Sequence, residues 1–251
     1  MDLGLKGKSA VVIGGSRGIG REIAHRFAEE GAHVAICARG EEALRDAEAM
    51  LQRTGVRVYA ASCDVGQQDA LVAFLESARK ALGRVDVLVN NASGFGFSDD
   101  EAGWQAGIEV DLMAAVRATR TVTPWMAQSG GGVITHIASI SGLEAGSPPA
   151  YAAVKAALIS HSKTLAVSLA GQKIRVNVVA PGSIEFPGGG WDRMKRNDRP
   201  FYDSVLARIP WGRMGTVDEV ADAVVFLSSS RATWITGACL TVDGGQHKGN
   251  L

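Results

Sequence analysis

A tyrosine and a lysine stand four residues apart near the start of an alanine-rich segment, SPPAYAAVKAAL, residues 147–158. In a helix, this spacing puts the side chains of Tyr151 and Lys155 one above the other on the same face. A phenol beside an ammonium group can move a proton, because a nearby cation favours the phenolate form. Both residue types also often carry a polar tip out of a packed surface. The importance of the pair therefore depends on its surroundings.

A second chemical motif follows the first apolar run, in VVIGGSRGIG, residues 11–20. Its glycines are spaced G-x-x-x-G-x-G between a β-branched run and a helical pattern. Glycine lets a backbone turn tightly and approach a pyrophosphate, and the free N–H groups of a helix start attract negative charge. Glycines also mark ordinary turns, but the strand–turn–helix context favours nucleotide binding. The expected cofactor contacts here are Gly14, Ser16, Arg17, Gly18, Ile19 and Gly20.

The elements that position these motifs alternate along the whole chain. Seven apolar runs read as strands: SAVVIG, HVAIC, VRVYAA, VDVLVN, GVITHIAS, IRVNVVAPG and ACLTVDGG. Helical patterns lie between them, near residues 18–30, 41–53, 67–82, 103–128, 150–170 and 217–228. Continuous apolar strands alternating with helices indicate a parallel sheet covered on both faces. We therefore predict an α/β fold, a doubly wound Rossmann-type domain with a seven-stranded parallel sheet.

The chain shows no linker, repeat or low-complexity tract, so we expect residues 1–251 to form one nucleotide-binding domain. The alternation is interrupted over residues 185–215, where Pro and Gly recur and Trp191, Phe201 and Trp211 sit among mixed charges. A long surface loop is one interpretation of this irregular segment. Ligands bind beyond the carboxyl ends of the strands in an open α/β sheet, so we prefer a substrate lid.

Composition excludes several classes of protein. The 26 basic residues balance the 26 acidic ones, so no overall charge attracts nucleic acid or an anionic membrane. The apolar runs are too short to span a bilayer, and the N-terminus lacks the apolar region of a signal peptide. The cysteines, at 37, 63 and 239, lie in unrelated contexts without metal-ligand spacing. We expect reduced thiols, no bound metal and a cytoplasmic location.

With these motifs in hand, the chain resembles the short-chain dehydrogenase/reductase family over nearly its full length, and its 3-oxoacyl-carrier-protein reductases in particular. The glycine turn matches the family pattern T-G-x-x-x-G-x-G, with Ile13 in place of threonine, and Tyr151 and Lys155 match Y-x-x-x-K. The remaining matches are Asn90, Asn91 and Ala92 of N-N-A-G, with Ser93 in place of glycine, then Pro181 and Gly182 of P-G, and Asp243, Gly244 and Gly245 of D-G-G.

The resemblance implies a hydride transfer between a nicotinamide cofactor and a carbonyl or secondary alcohol. It gives Tyr151 the role of general acid/base on the substrate oxygen, while Lys155 favours the phenolate and holds the cofactor ribose. It also implies a homotetramer. Substrate candidates are a 3-oxoacyl thioester or a small ketone or alcohol. Further cofactor contacts implied by the resemblance are Asp64, Val65, Asn91, Ala92, Pro181, Gly182 and Ile184.

The second strand bears on the choice of cofactor. NAD-preferring enzymes place an acid here to accept the ribose 2′-hydroxyl, whereas a 2′-phosphate calls for arginine. The chain has Arg39, with no acid before Glu41, and Arg17 offers a second guanidinium. Two solvated surface arginines are the alternative, but we predict NADP(H). Asp64 and Val65 resemble the family's adenine-contacting pair, although a helix cap also explains Asp64.

Three positions depart from the family pattern. The usual spacing before the tyrosine falls on Ala138, which has no hydroxyl; aligning strand ends gives the substrate-binding serine role to Ser139, with Ser141 as the alternative. Asp111 replaces an asparagine that helps to hold a relay water, and a carboxylate there can accept from water or pair with Lys155. Phe186 replaces a threonine near the nicotinamide amide.

The substrate side is less informative. Phe95, Phe97 and Trp191 suggest an apolar cleft, although aromatic residues at such places are often only packing. The basic run of residues 193–196 offers a site for a carboxylate or a carrier phosphate, but acidic residues flank it and we expect it to be solvated. A non-catalytic NADP(H)-binding regulatory protein on the same fold is the alternative function, and Ile13, Ser93 and Asp111 favour it.

Overall fold

A computed structural model of the chain describes residues 2–249. Over this range the strands are β1 (Ser9–Ile13), β2 (His33–Ala38), β3 (Val58–Ser62), β4 (Val87–Asn90), β5 (Gly132–Ile137), β6 (Ile174–Pro181) and β7 (Cys239–Val242). The α-helices are α1 (Gly18–Glu29), α2 (Glu41–Gln52), α3 (Gln68–Leu82), α4 (Glu101–Ala106), α5 (Ala114–Gln128), α6 (Pro149–Leu169), α7 (Gly190–Asn197), α8 (Arg199–Leu206) and α9 (Val217–Ser228).

The strands form one sheet in the order β3-β2-β1-β4-β5-β6-β7. Every neighbouring pair is parallel, so the predicted α/β fold is confirmed. The chain runs outward from β1 to β3 and then returns to start the other half at β4. This reversal leaves a crevice at the carboxyl ends of β1 and β4, where open α/β sheets bind ligands.

Two apolar layers cover the two faces of the sheet. Successive strand residues point to opposite faces, so Val12 packs with α1, α2 and α9 while Val11 packs with α3, α5 and α6. Phe27 on α1 and Leu75 on α3 are fully buried, one in each layer. Because both faces are buried, the strands need continuous apolar runs, which is the pattern present in the sequence.

The predicted helix 103–128 differs from the observed structure. It begins at Glu101 and is interrupted by a π-helical segment, Gly107–Met113, between α4 and α5. Such segments are rare and occur often at functional sites. This one contains Asp111, which is 2% exposed. A π-helical segment has more residues per turn than an α-helix, and the contacts of the segment with the rest of the fold stabilise it. The spacing of apolar residues in the sequence does not predict such contacts.

The segment 185–215 is more regular than predicted. It contains α7 and α8, so the description of it as an irregular insertion was wrong. The Asp198 carboxylate accepts a hydrogen bond from the Phe201 N–H at 3.1 Å, and a proline lies in the first turn of α8, both of which favour a helix start. The segment has its own small apolar cluster of Tyr202, Val205, Ile209 and Met214.

We expected the three cysteines to lie in unrelated contexts, but two of them are close together in the structure. Cys37 lies on β2, and Cys63 directly follows the neighbouring strand β3. Interaction with the Cys63 side chain and burial raise the pKa of the Cys37 thiol. All three cysteines are free thiols, and residues 2–249 contain no group of side chains suited to holding a metal ion. Within the same range, no helix has both the length and the apolar character to cross a bilayer.

Candidate active site

The turn between β1 and α1 requires its glycines for two different reasons. Gly14 has φ +81° and Gly18 has φ +54°, in the left-handed region that side chains disfavour. Gly20 lacks space instead, because a Cβ there would collide with the Gly14 carbonyl and the Asn91 amide. The Asn91 Nδ2 donates to the Gly14 oxygen at 2.8 Å. The turn and the end of β4 therefore form one compact unit that also includes Ala92.

The surroundings of this turn suit an anion. Arg17 is the N-cap of α1, and its side chain makes no capping hydrogen bond, so the helix start keeps N–H groups available for a phosphate. Arg39 follows β2 directly, and both arginines are exposed. Within residues 2–249 neither guanidinium forms an ion pair. Ser16 and Ile19 are partly exposed in the same turn. These residues suit the binding of phosphate groups.

The next strand end contributes Asp64 and Val65. The Asp64 Oδ1 accepts from the Gly66 N–H at 3.1 Å, which is a local turn before α3, while the N-cap of that helix is Gln67. The alternative that Asp64 caps α3 is therefore wrong. Val65 is 7% exposed and belongs to the core under α3.

Tyr151 and Lys155 lie in the first two turns of α6, which starts at Pro149. Proline is favoured at the first position of a helix because an N–H at that position has no partner within the helix, so that its absence costs little. This accounts for the prolines ahead of the tyrosine. The Lys155 Nζ lies 5.5 Å from the centre of the Tyr151 ring. Tyr151 is partly exposed, whereas Lys155 is 2% exposed.

The buried ammonium of Lys155 has two oxygen partners. It forms an ion pair with the Asp111 Oδ1 at 2.9 Å and donates to the Ile137 carbonyl at 3.1 Å. Burial by itself lowers the pKa of Lys155, but the charge of Asp111, the nearby Tyr151 and the hydrogen bond to Asp111 together outweigh this effect and raise the pKa. The pairing that we expected for the aspartate is present, and it keeps the lysine charged.

Asp111 has a second contact that we did not predict. Its other oxygen, Oδ2, accepts from the Gly94 N–H at 2.7 Å. One carboxylate thus connects Lys155 on α6 to the loop that follows β4. No local pattern links residues 94 and 111. The sequence nevertheless offered an indication, because a carboxylate in a buried position requires hydrogen-bond donors at both of its oxygens.

Ser139 lies just beyond β5 and begins a short 3-10 turn, Ile140–Gly142. Its Oγ accepts from the Ser141 N–H at 3.1 Å. The Ser141 Oγ accepts from the Ser147 hydroxyl at 2.8 Å, so that side chain is engaged within its own loop. Ala138 is buried. Of the three positions, Ser139 is the one that places a hydroxyl directly beyond the end of β5.

The end of β6 packs against two other site elements. A Cβ on Gly182 would come within 2.7 Å of Asp243, so the P-G and D-G-G motifs are in contact. Ile184 is buried and bridges to Gly215. The Phe186 ring lies over the glycine turn, since a Cβ on Gly18 would come within 2.5 Å of it. This contact was not predicted from the sequence.

The segment 185–215 is held to its stem by Glu185. That carboxylate accepts from Lys195 at 2.8 Å and from the Tyr202 hydroxyl at 2.5 Å. These bonds lower the pKa of Glu185. Arg196 pairs with Asp192 at 2.8 Å. The basic run of residues 193–196 is exposed, as expected for a solvated run, and two of its cations, Lys195 and Arg196, pair with carboxylates of the same segment.

Known proteins resemble the chain over almost its whole length. A family model described as enoyl-(acyl carrier protein) reductase matches residues 13–247. A 3-oxoacyl-[acyl-carrier-protein] reductase from Chlamydia muridarum is 38% identical over 251 positions, covering 96% of this chain and 98% of that protein.

Two crystal structures add a comparison of ligands. L-Sorbose reductase from Gluconobacter frateurii, complexed with NADPH and L-sorbose, has a TM-score of 0.92 and 39% identity, covering 99% of this chain and 100% of that one. A 7α-hydroxysteroid dehydrogenase complexed with NADH and 7-oxo glycochenodeoxycholic acid has a TM-score of 0.91 and 33% identity, covering 97% and 96%. These neighbours differ in both cofactor and substrate.

Proposed function

The chain belongs to the short-chain dehydrogenase/reductase family, and from this premise we propose that it is an NADP(H)-dependent oxidoreductase acting on a small ketone or secondary alcohol. The observation that carries the proposal is the group formed by Tyr151, Lys155 and Asp111 beside the glycine turn. When bound, the nicotinamide supplies or accepts the hydride.

Tyr151 is the general acid/base. Its hydroxyl gives a proton to the substrate carbonyl oxygen during reduction and takes it back during oxidation. Ser139 donates a hydrogen bond to the same oxygen and orients it. A phenol alone is a weak acid at neutral pH, so the tyrosine depends on the ammonium one helical turn away.

Lys155 keeps its positive charge because the Asp111 carboxylate stabilises the buried ammonium group. An ammonium has three N–H donors, and two of them contact Asp111 and Ile137. The third remains for the cofactor ribose or the tyrosine oxygen. Asp111 therefore acts through Lys155, as a positioning residue, and this arrangement favours an enzyme over the non-catalytic regulatory alternative.

The preference for NADP(H) rests on Arg17 and Arg39. Both are exposed and flank the glycine turn, and a guanidinium group matches phosphate oxygens with paired hydrogen bonds. The other proposed cofactor contacts are the glycine turn with Ser16 and Ile19, and the strand-end residues Asp64, Val65, Asn91, Ala92, Pro181, Gly182 and Ile184.

The segment 185–215 is proposed as the substrate lid of a single nucleotide-binding domain. Three of its cations, Lys195, Arg196 and Arg199, pair with carboxylates of the same segment, which reduces the positive charge available to an acidic carrier protein or a carrier phosphate. A small ketone or alcohol fits better than a 3-oxoacyl carrier thioester. We also propose a homotetramer, since Val167 and Trp234 are 75% and 98% exposed and such surfaces favour association. The cytoplasmic location stays a prediction.

A carbonyl panel tests the function directly. We expect the protein to consume NADPH, followed by absorbance, with at least one member of a panel of aryl, cyclic and aliphatic ketones, ketoses and a 3-oxoacyl thioester. Tyr151→Phe should reduce turnover by at least a thousandfold, within the range attributed to acid/base catalysis. NADPH affinity should stay close to that of the wild type, because only one hydroxyl is removed.

Wild-type turnover by Tyr151→Phe would contradict the role of the tyrosine. If the wild type binds NADPH but reduces none of the carbonyls, the regulatory alternative gains support.

A further inference from the structure

Two phenylalanine rings line the approach to Tyr151. The Phe97 ring meets the Tyr151 ring edge to face, with centres 5.0 Å apart and planes at 63°. The Phe95 ring lies 5.7 Å from that of Phe97. Aromatic rings at such distances and tilts attract each other beyond simple burial. The result is a row of three rings that ends at the proposed acid/base.

The loop holds these rings in an unusual backbone conformation. Phe95 has a φ of +49°, a backbone conformation that residues other than glycine rarely adopt. The Ser93 Oγ accepts from the Phe95 N–H at 3.1 Å. Such conformations persist only where the surroundings enforce them, and they occur often at ligand sites.

The flanking glycines and Asp111 supply that enforcement. A Cβ on Gly94 would come within 2.5 Å of the Ala106 carbonyl oxygen, and a Cβ on Gly96 would collide with the Gly103 carbonyl. The loop is therefore packed closely against α4. The Gly94 N–H also donates to the Asp111 carboxylate that pairs with Lys155. The loop that carries the two rings is therefore held to Asp111, the partner of Lys155, by a backbone hydrogen bond.

The rings are nevertheless half exposed. Phe95 is 55% and Phe97 is 54% exposed, although large apolar side chains gain by burial. A bound apolar group that covers them would recover this gain. An aromatic ring would add edge-to-face or offset stacking, which a saturated ring or chain cannot supply.

We propose that Phe95 and Phe97 form an aromatic clamp that selects substrates with a flat aromatic ring attached to the reacting carbonyl or carbinol carbon. The clamp defines the substrate class of the site described under Proposed function and rests on that function. It predicts a preference for aryl ketones over saturated ketones of the same skeleton.

The test compares acetophenone with cyclohexyl methyl ketone, which share one carbon skeleton. Because the aromatic ring also conjugates with the carbonyl and lowers its reactivity, binding of the corresponding alcohols is the measurement that isolates recognition of the ring. We measure kcat/KM for both with NADPH. In parallel, NMR titration gives the affinities of 1-phenylethanol and 1-cyclohexylethanol for the protein with NADPH present, a combination in which no hydride transfer to or from the alcohol can occur. We expect the wild type to prefer the aromatic member of each pair by about two- to tenfold, the range for one or two aromatic contacts.

Two variants and one control isolate the rings. Phe97→Leu keeps an apolar side chain but removes the ring, and Phe95→Asn removes the other ring with a residue that tolerates positive φ. Each should lose most of the aromatic preference. Phe226→Leu, at a 40% exposed phenylalanine on α9, should keep it. Thermal melting of all four proteins checks that the variants fold.

The outcomes separate the two proposals. If the wild type shows no aromatic preference in binding, or if folded Phe97→Leu retains it, the clamp is overturned even where other carbonyls are reduced. If the alcohols bind with the preference and lose it in Phe97→Leu but no carbonyl turns over, the clamp stands and the oxidoreductase proposal falls.

Discussion

Tyr151 and Lys155 show how a short spacing becomes a chemical site. The helix puts the two side chains on one face, but the state of the lysine depends on Asp111, which lies 44 positions before it in the chain. Without that carboxylate, burial would act to remove the proton from the ammonium. At the other end of the crevice, Arg17 and Arg39 show the opposite case, since both side chains are exposed and neither forms an ion pair within residues 2–249.

Arg39 carries a prediction about cofactor choice. Arg39→Asp should move preference from NADPH towards NADH, because a carboxylate repels a 2′-phosphate yet can accept a hydrogen bond from a 2′-hydroxyl. Loss of a charge-assisted contact costs about 1.5–3 kcal/mol, which is about ten- to a hundredfold in NADPH affinity. Fluorescence titration with both cofactors measures the change. Arg45→Asp, farther along α2, serves as the charge control.

If Arg39→Asp binds both cofactors as the wild type does, Arg39 is a surface residue without a role in selection. The same titration on Arg17→Ala would then identify the second guanidinium as the determinant or exclude both.

At the scale of elements, the π-helical segment connects the two sides of the site. It places Asp111 between the Gly94 N–H and the Lys155 ammonium, both of which are donors. A carboxylate offers an oxygen to each, whereas an asparagine amide has only one oxygen. This difference gives a physical reason for aspartate where the family pattern has asparagine. The lid is a second such element, since Phe186 at its start touches the glycine turn.

Asp111 carries the prediction at this scale. Asp111→Asn should keep activity within about tenfold of the wild type, because the amide still accepts one hydrogen bond. Its pH–rate profile should change on the basic side: the carboxylate raises the pKa of Lys155, so removing its charge lets the ammonium lose its proton at lower pH. Asp111→Leu should lose far more activity, since the Gly94 N–H loses its acceptor and the Lys155 ammonium keeps only the Ile137 carbonyl. The measurement is kcat/KM against pH for the three proteins.

Equal rates and one common pH profile would show that Asp111 takes no part in catalysis. A large loss in Asp111→Asn with an unshifted profile would instead indicate a purely structural role in holding the loop at Gly94.

At the scale of the whole molecule, parallel strands bring distant residues to one edge. Five residues that each follow a different strand lie at the carboxyl ends of the sheet: Gly14, Arg39, Asn91, Ser139 and Gly182.

The interior of the same sheet contains buried polar side chains. His136 on β5 is fully buried, with its Nδ1 3.1 Å from the Asn90 Nδ2, and its ring lies 6.0 Å from that of His161.

His136 makes stability depend on pH. Burial, together with His161 and Lys155, lowers its pKa to about 3, whereas an unfolded histidine titrates near 6.5. Between these values the unfolded chain binds more protons, so this contribution is fully present above pH 6.5 and is lost as pH falls towards 3. The expected slope is at most about 1.4 kcal/mol per pH unit.

Urea unfolding at a series of pH values measures this slope. His136→Gln should flatten it relative to the wild type, whatever its effect at neutral pH. Parallel slopes in the two proteins would mean that other groups cause the acid sensitivity.

The sequence by itself determined the seven parallel strands, most helix bounds and the glycine, tyrosine and lysine motifs, because these depend on local periodicity, turn chemistry and spacing. It also indicated that Asp111 could pair with Lys155. The second contact of Asp111, the proximity of Cys37 to Cys63, and the contact of Phe186 with the glycine turn were decided only by the tertiary structure. Each of these joins residues far apart in the chain, and the hydrogen bonds and packing between them exist only once the sheet has brought their strand ends together.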